Sequence, residues 1–200
     1  MLDSKRLVRW DSINVHPETR QIAEYMLDFG LHLLARAILD VTFAEIQNPY
    51  SHAMAVVRCA HAAEIILKAK IAEEHPLLIF TKLPRPDPTS NGPLNIRTLL
   101  TDPRSRTLTY SELPDALWAA TGYRIENLKR FEEFGRLRNT ITHLGIPGGE
   151  DFVEETYRFA YEIIVPMIRH FWGVGFAEYF SAYEEEGAEY VQQMLDKYGL

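Results

Sequence analysis

Apolar residues at helical spacing dominate the chain. Ile22, Tyr25, Met26, Phe29, Leu33, Leu34 and Ala37 recur every three or four residues, which places one apolar stripe along an α-helix. That spacing predicts a helix from about Pro17 to about Ile46, with Pro17 suited to the first turn and Asn48-Pro49 as its stop. A second helix is expected from Ser51, a good N-cap, to about Glu74. His75-Pro76 ends it, because a residue before proline avoids the helical region. Residues 76–95 read as irregular, since each proline of Pro84-Arg85-Pro86-Asp87-Pro88 removes a backbone donor. Further helices are expected at about Asn95–Leu100, from Ser111 to Thr121 with Gly122 as the stop, and over Ile125–Leu144 ended by Gly145. After a turn at Ile146-Pro147-Gly148-Gly149, one helix spans Asp151–Trp172, bent or interrupted at Pro166, and a last runs from about Tyr183 to Lys197. No strand ladder and no internal repeat stands out. The expected fold class is all-α.

A chain of 200 residues fits one domain and can bury a core without disulfides or metal staples. The lone cysteine, Cys59, excludes an internal disulfide and any Cys-rich zinc site. It suits a reducing cytosol. Residues 1–15 hold no apolar run of the kind a secretory signal needs. The longest apolar runs are short, as in Leu77-Leu78-Ile79-Phe80, whereas a membrane span takes ~20 residues. A cytoplasmic protein without membrane contact is expected.

The formal charge of −7 speaks against gripping nucleic acid over the whole surface, because phosphate binding depends on Lys and Arg. The acidity is local, however. Residues 150–200 carry 11 acids and 3 bases, net −8, which leaves 17 acids and 18 bases, net +1, for residues 1–149. The Glu184–Glu189 cluster reads either as a solvated helix face or as a surface for a basic partner.

The helix Ile125–Leu144 divides into two faces at 100° per residue. Phe134, Leu137, Ile141 and Leu144 share one sector and are expected in the core. Arg138, Asn139, Thr142 and His143 lie on the other side with Gly135, where a backbone can approach closely. A guanidinium, an amide and an imidazole thus meet at one helix end. Arg clamps phosphate oxygens and holds transition-state charge, and His moves protons near neutral pH. RNA brings its own nucleophile, the ribose 2′-hydroxyl, so no serine or cysteine is required. The competing reading is that Arg and His merely favour a helix C-terminus. On the second helix, Arg58, His61, Glu64 and Lys68 share one face. Glu64 either supports the Arg138/His143 site or forms an intrahelical pair with Lys68 on solvent.

His52, His61, Glu64 and His143 lack the spacing of a metal site, and no phosphate-binding P-loop is present. Neither a metal nor a cofactor is expected.

Arg138-Asn139-Thr140-Ile141-Thr142-His143 resembles the Arg-x4-His motif of HEPN domains, including the polar residue directly after the Arg. His61-Ala62-Ala63-Glu64-Ile65-Ile66-Leu67-Lys68-Ala69 resembles the earlier HEPN helix that carries a Glu. The resemblance covers about residues 15–175. It implies an all-α helical bundle, and the chain is read as one such domain over residues 1–200, with its core at about 15–175, a long irregular and helical insert at about 76–123 before the motif helix and an acidic C-terminal helix at about 183–198. It also implies a homodimer and, in many members, a metal-independent endoribonuclease that acts as a toxin or in antiviral defence. By position, Arg138 and His143 would be catalytic and Asn139 would position the phosphate or the imidazole. Glu64, with His61 and Lys68 on the same face, would support the site. The implied products are a 2′,3′-cyclic phosphate and a 5′-hydroxyl.

Two departures qualify the likeness. Gly145 stands where some family toxins carry a tyrosine that a partner enzyme modifies, so that regulation is not expected here. The insert also exceeds a minimal HEPN core. It carries Lys82, Arg85, Arg97, Arg104 and Arg106 beside Tyr110, Trp118 and Tyr123, a mixture suited to single-stranded RNA. Arg85, Arg104 and Arg106 are the expected RNA contacts, and Trp118 is either a stacking surface or core. Because some members have lost catalysis, the alternative function is a non-catalytic module that binds a nucleotide or a protein such as an antitoxin or defence partner.

Overall fold

The computed structural model describes residues 17–43, 48, 50–84, 99, 102–145, 151–183 and 187–200. The fold is all-α. Helix α1 covers Pro17–Thr42 and α2 covers Ser51–Glu74. A 3₁₀ turn at Pro76–Ile79 leads into β1, Phe80–Lys82, which pairs antiparallel with β2, Arg106–Thr107. Then come α3 (Leu113–Thr121), α4 (Leu128–Leu144), α5 (Phe152–Phe159), a π turn (Ala160–Ile164) and α6 (Val165–Trp172). Helices α7 (Phe176–Tyr183) and α8 (Ala188–Tyr198) complete the chain.

The described residues fall into two compact units, and α1 and α2 each contribute to both. One, the motif unit, comprises residues 29–63 and 125–200. The other, the insert unit, comprises 17–28 and 64–124.

The core of the motif unit is aromatic on one side and fine-grained on the other. Phe134 of α4 stacks on Phe159 of α5 with centroids 3.9 Å apart, and Phe131 leans on the same ring at 5.9 Å. Helix α2 contributes Ala53, Ala55, Val56, Cys59 and Ala60, all buried, so its backbone can approach its neighbours closely. Burial pushes the Cys59 thiol well above its ordinary pKa, which keeps it protonated and inert. Helix α4 begins three residues later than the periodicity suggests, because the Asn127 side chain accepts the Arg130 N–H at 3.2 Å and caps it there. Helix α5 begins on Asp151, whose Oδ1 accepts the N–H groups of Val153 and Glu154.

The bend expected at Pro166 is absorbed one turn earlier. Val165 N–H reaches back to the Ala160 carbonyl, and the helix widens into a π turn. Proline lacks a donor and crowds the carbonyl four residues before it, and a widened turn relieves that conflict. The final helix, expected from Tyr183, begins at Ala188, and an unexpected helix, Phe176–Tyr183, precedes it. Phe176 and Phe180, four residues apart and both buried, anchor α7, an apolar repeat obscured in the sequence by the adjacent Gly173 and Gly175.

The insert unit also departs from expectation. It contains a strand pair where none was expected, of three and two residues, too short for alternation to register in sequence. The Leu108 N–H donates to the Ile79 carbonyl at 2.8 Å and extends the pairing. Before α3, the Glu112 carboxylate accepts both the backbone N–H and the hydroxyl of Thr109 at 2.7 Å, and these bonds hold it below the usual carboxylate pKa. Gly122, at φ 76, ends α3 in the left-handed region that favours glycine. The helix expected at Asn95–Leu100 and the turn at Ile146–Gly149 fall outside the described residues, apart from Leu99, which is buried.

Candidate functional site

Helix α4 leaves its core with its last two turns. Phe131 and Phe134 are buried, Leu137 and Ile141 are half-buried, and Leu144 is 84% exposed. The expectation that all four apolar residues from Phe134 to Leu144 face the core therefore fails at its C-terminal end, where the core covering Phe131 and Phe134 stops. Gly135 is buried rather than open to an approaching backbone.

The polar face of these turns carries the sequence motif. Arg138 is half-buried, while Asn139 and His143 are exposed. Arg138 Nη1 donates to Asn139 Oδ1 at 2.9 Å, which leaves the Asn139 amide N–H groups for other acceptors. The threonine hydroxyls are committed to the helix: Thr142 donates to the Arg138 carbonyl at 2.8 Å and Thr140 to the Arg136 carbonyl at 3.1 Å. His143 makes no hydrogen bond or ion pair among the described residues, so it does not cap the helix. Gly145, at φ 97, ends the helix in a backbone conformation that favours glycine. The arrangement places a fixed guanidinium and an uncommitted imidazole at the C-terminal end of one helix, whose dipole favours positive charge. It can hold an anion and exchange a proton.

At the other end of α4, Arg130 lies 3.5 Å from Glu155 and 3.3 Å from Glu162. Arg158 bonds Glu154 at 2.7 Å and Glu162 at 2.9 Å, and donates to the Tyr198 carbonyl at the end of α8. This network spends three acids of the C-terminal quarter on internal contacts. Nearby, the Tyr157 hydroxyl shares a 2.7 Å bond with Thr42, and burial pushes its pKa up to about 12. The Tyr157–Thr42 bond and the Arg130 contacts were not legible in the sequence, because their partners are far apart along it.

The other expected site residues divide between the units. In the motif unit, His61 is exposed and edge-on to Phe29, ring centroids 6.4 Å apart. Arg58 pairs with Asp40, which also takes Arg36 at 2.9 Å. In the insert unit, Lys68 donates to Glu64 at 2.7 Å and to the Thr107 hydroxyl at 3.2 Å. This is the intrahelical pair the spacing allows, but it is not on solvent: Lys68 is buried.

Of the three arginines expected to touch RNA, Arg85 lies outside the described residues. Arg104 is tied to Asp102 through its Nε, its Nη2 and its backbone N–H, and these bonds lower the Asp102 carboxyl to about pKa 2. Arg106 is exposed on β2 and stands directly opposite Lys82 of β1. Trp118, left open between core and surface, is 47% exposed, with the Arg124 guanidinium 4.7 Å above its ring.

Among the described residues, no three or more His, Cys, Asp or Glu side chains are grouped to hold a metal ion. No helix among them is long and apolar enough to cross a membrane. The chain matches no protein-family model, no curated protein and no solved structure.

Proposed function

We propose that this chain is a HEPN-type, metal-independent endoribonuclease that works as a homodimer, in the role of a toxin or an antiviral-defence component. The observation that carries the reading is the end of α4, where Arg138 is bonded to Asn139 and His143 stands exposed and uncommitted. The resemblance of Arg138 to His143 to the Arg-x4-His motif supplies the chemistry.

In that chemistry the ribose 2′-oxygen attacks the adjacent phosphorus as its proton passes to a base. The bond from phosphorus to the 5′-oxygen breaks, and an acid protonates that oxygen. The products are a 2′,3′-cyclic phosphate and a 5′-hydroxyl. His143 acts as the proton-transfer group. Arg138 neutralises charge on the non-bridging oxygens, with Asn139 fixing its orientation. One chain offers one such imidazole, and general acid–base cleavage uses two groups. A second copy related by a two-fold axis supplies the other, and the exposed Leu144, with the half-buried Leu137 and Ile141 beside the motif, suits that contact.

The test is incubation of purified protein with single-stranded RNA in the presence of a chelator, beside His143→Ala. Cleavage by the wild type alone supports the reading. Equal cleavage by both, or none by either, overturns it. Thermal stabilisation by a nucleotide without cleavage would favour the non-catalytic alternative.

A further inference from the structure

We infer that the insert unit is a surface that holds single-stranded RNA, with Lys82 and Arg106 taking a backbone phosphate and Trp118 stacking a base. The inference rests on RNA being the substrate, and it places substrate binding on residues other than the motif.

Lys82 and Arg106 are register partners across the strand pair, and both are exposed. A register shift, a bulge, separates this pair from Phe80–Thr107, and like charges placed opposite each other repel. No ion pair to either base is formed among the described residues. Glu64 is paired with Lys68, Glu73 and Glu74 with Lys70, and Asp102 with Arg104, while Glu112 stays charged as it accepts from Thr109. The exposed acids Asp115, Glu24 and Asp28 make no ion pair with either base. Two exposed cations opposite each other on a short strand pair, with no carboxylate paired to either among the described residues, form a seat for an anion.

The second feature is Trp118. Arg124 covers one side of its ring and still leaves 47% of the residue exposed. The left-handed turn at Gly122 brings Arg124 back over α3. An indole backed by a guanidinium is a stacking platform for a base, and every base has such a face. Asp115, one turn earlier on α3, disfavours a phosphate on that side, so the backbone runs on the Arg124 side. Phosphate contacts combined with base stacking define single-strand recognition.

The test measures binding apart from cleavage. A labelled oligoadenylate RNA of about ten nucleotides is titrated into the full chain carrying His143→Ala, with chelator, over a range of salt concentrations. Lys82→Gln/Arg106→Gln is expected to reduce the salt slope of log K by about 0.7, one single-strand phosphate contact. Trp118→Ala is expected to weaken binding by about fivefold or more, while Trp118→Phe retains most of it. Melting of each variant without RNA checks folding, and the double Gln variant is expected to be no less stable than its parent. Unchanged affinity and salt slope in folded variants overturn the inference, as does equal binding of an abasic sugar-phosphate strand. Binding as expected without cleavage by the wild type would leave this surface standing and remove the nuclease reading. Cleavage dependent on His143, with binding indifferent to Lys82, Arg106 and Trp118, would do the reverse.

Discussion

Arg138 is held by the residue that follows it: its Nη1 donates to the Asn139 side-chain oxygen at 2.9 Å. Adjacent residues on a helix diverge by about 100°, so the bond exists only because the long guanidinium stem folds back. Asn139→Ala is expected to release that guanidinium and slow RNA cleavage by about tenfold, with little change in melting temperature because both residues lie at the surface. Asn139→Asp, which keeps the acceptor and adds charge, is expected to retain the Arg138 orientation but weaken RNA binding. Equal activity of wild type and Asn139→Ala would remove Asn139 from the site.

His143 and Arg138 separate chemistry from stability. His143 makes no bond that folding would miss, so His143→Ala is expected to change unfolding free energy by no more than about 0.5 kcal/mol. Its cleavage rate is expected to fall by about 10²–10⁴-fold, the range for a lost acid–base group. If chemical denaturation instead shows a loss of several kcal/mol, the residue serves the fold.

Leu144 reports on assembly. It is 84% exposed, so Leu144→Asp costs the isolated chain little. In the two-fold pairing proposed for α4 it buries a charge. Sedimentation is expected to show a dimer for the wild type and a shift toward monomer for the variant. A wild-type monomer at micromolar concentration would contradict the composite site.

Tyr157 gives the fold an alkaline signature. Burial raises its pKa to about 12, above the ordinary value of about 10, so the fold favours the neutral phenol. That contribution is complete below pH ~10 and is lost as pH rises through about 12. Near-ultraviolet titration should show Tyr157 ionising late, together with unfolding. Tyr157→Phe removes the 2.7 Å bond to Thr42 and is expected to cost about 1 kcal/mol.

Asp102 carries the opposite sign. Its bonds to Arg104 hold its pKa at about 2, below the unfolded value of about 3.9. Its contribution is therefore present above pH ~4 and is lost as pH falls toward about 2. A carboxyl-carbon NMR titration with a midpoint near 3.9 would mean that the Arg104 bonds do not persist in solution.

Helix existence was legible from apolar spacing, but the buried face was not: of the stripe read for α1, Leu34 and Ala37 are buried while Tyr25 is 66% and Phe29 49% exposed, and the buried line instead runs through Leu27, Leu31, Leu34 and Ile38. Caps refined what spacing could not, as at Asn127, whose side chain rather than the apolar stripe starts α4. Periodicity also cannot tell where a core ends, so it carried Leu144 inside although the residue is 84% exposed. The motif residues were legible through their spacing on one helix. The Lys82/Arg106 juxtaposition was not, because it depends on a strand pair that joins residues 24 apart and is too short to leave a pattern.

The chemistry of the cut ends tests the account most directly. Single-stranded RNA and its all-2′-deoxy counterpart are incubated with the wild-type protein in chelator, and the product termini are identified by mass spectrometry. Attack by the 2′-hydroxyl requires 2′,3′-cyclic phosphate and 5′-hydroxyl ends from RNA, and an intact deoxy strand. Cleavage of the deoxy strand, or RNA ends bearing a 3′-hydroxyl and a 5′-phosphate, would contradict the roles given to Arg138 and His143.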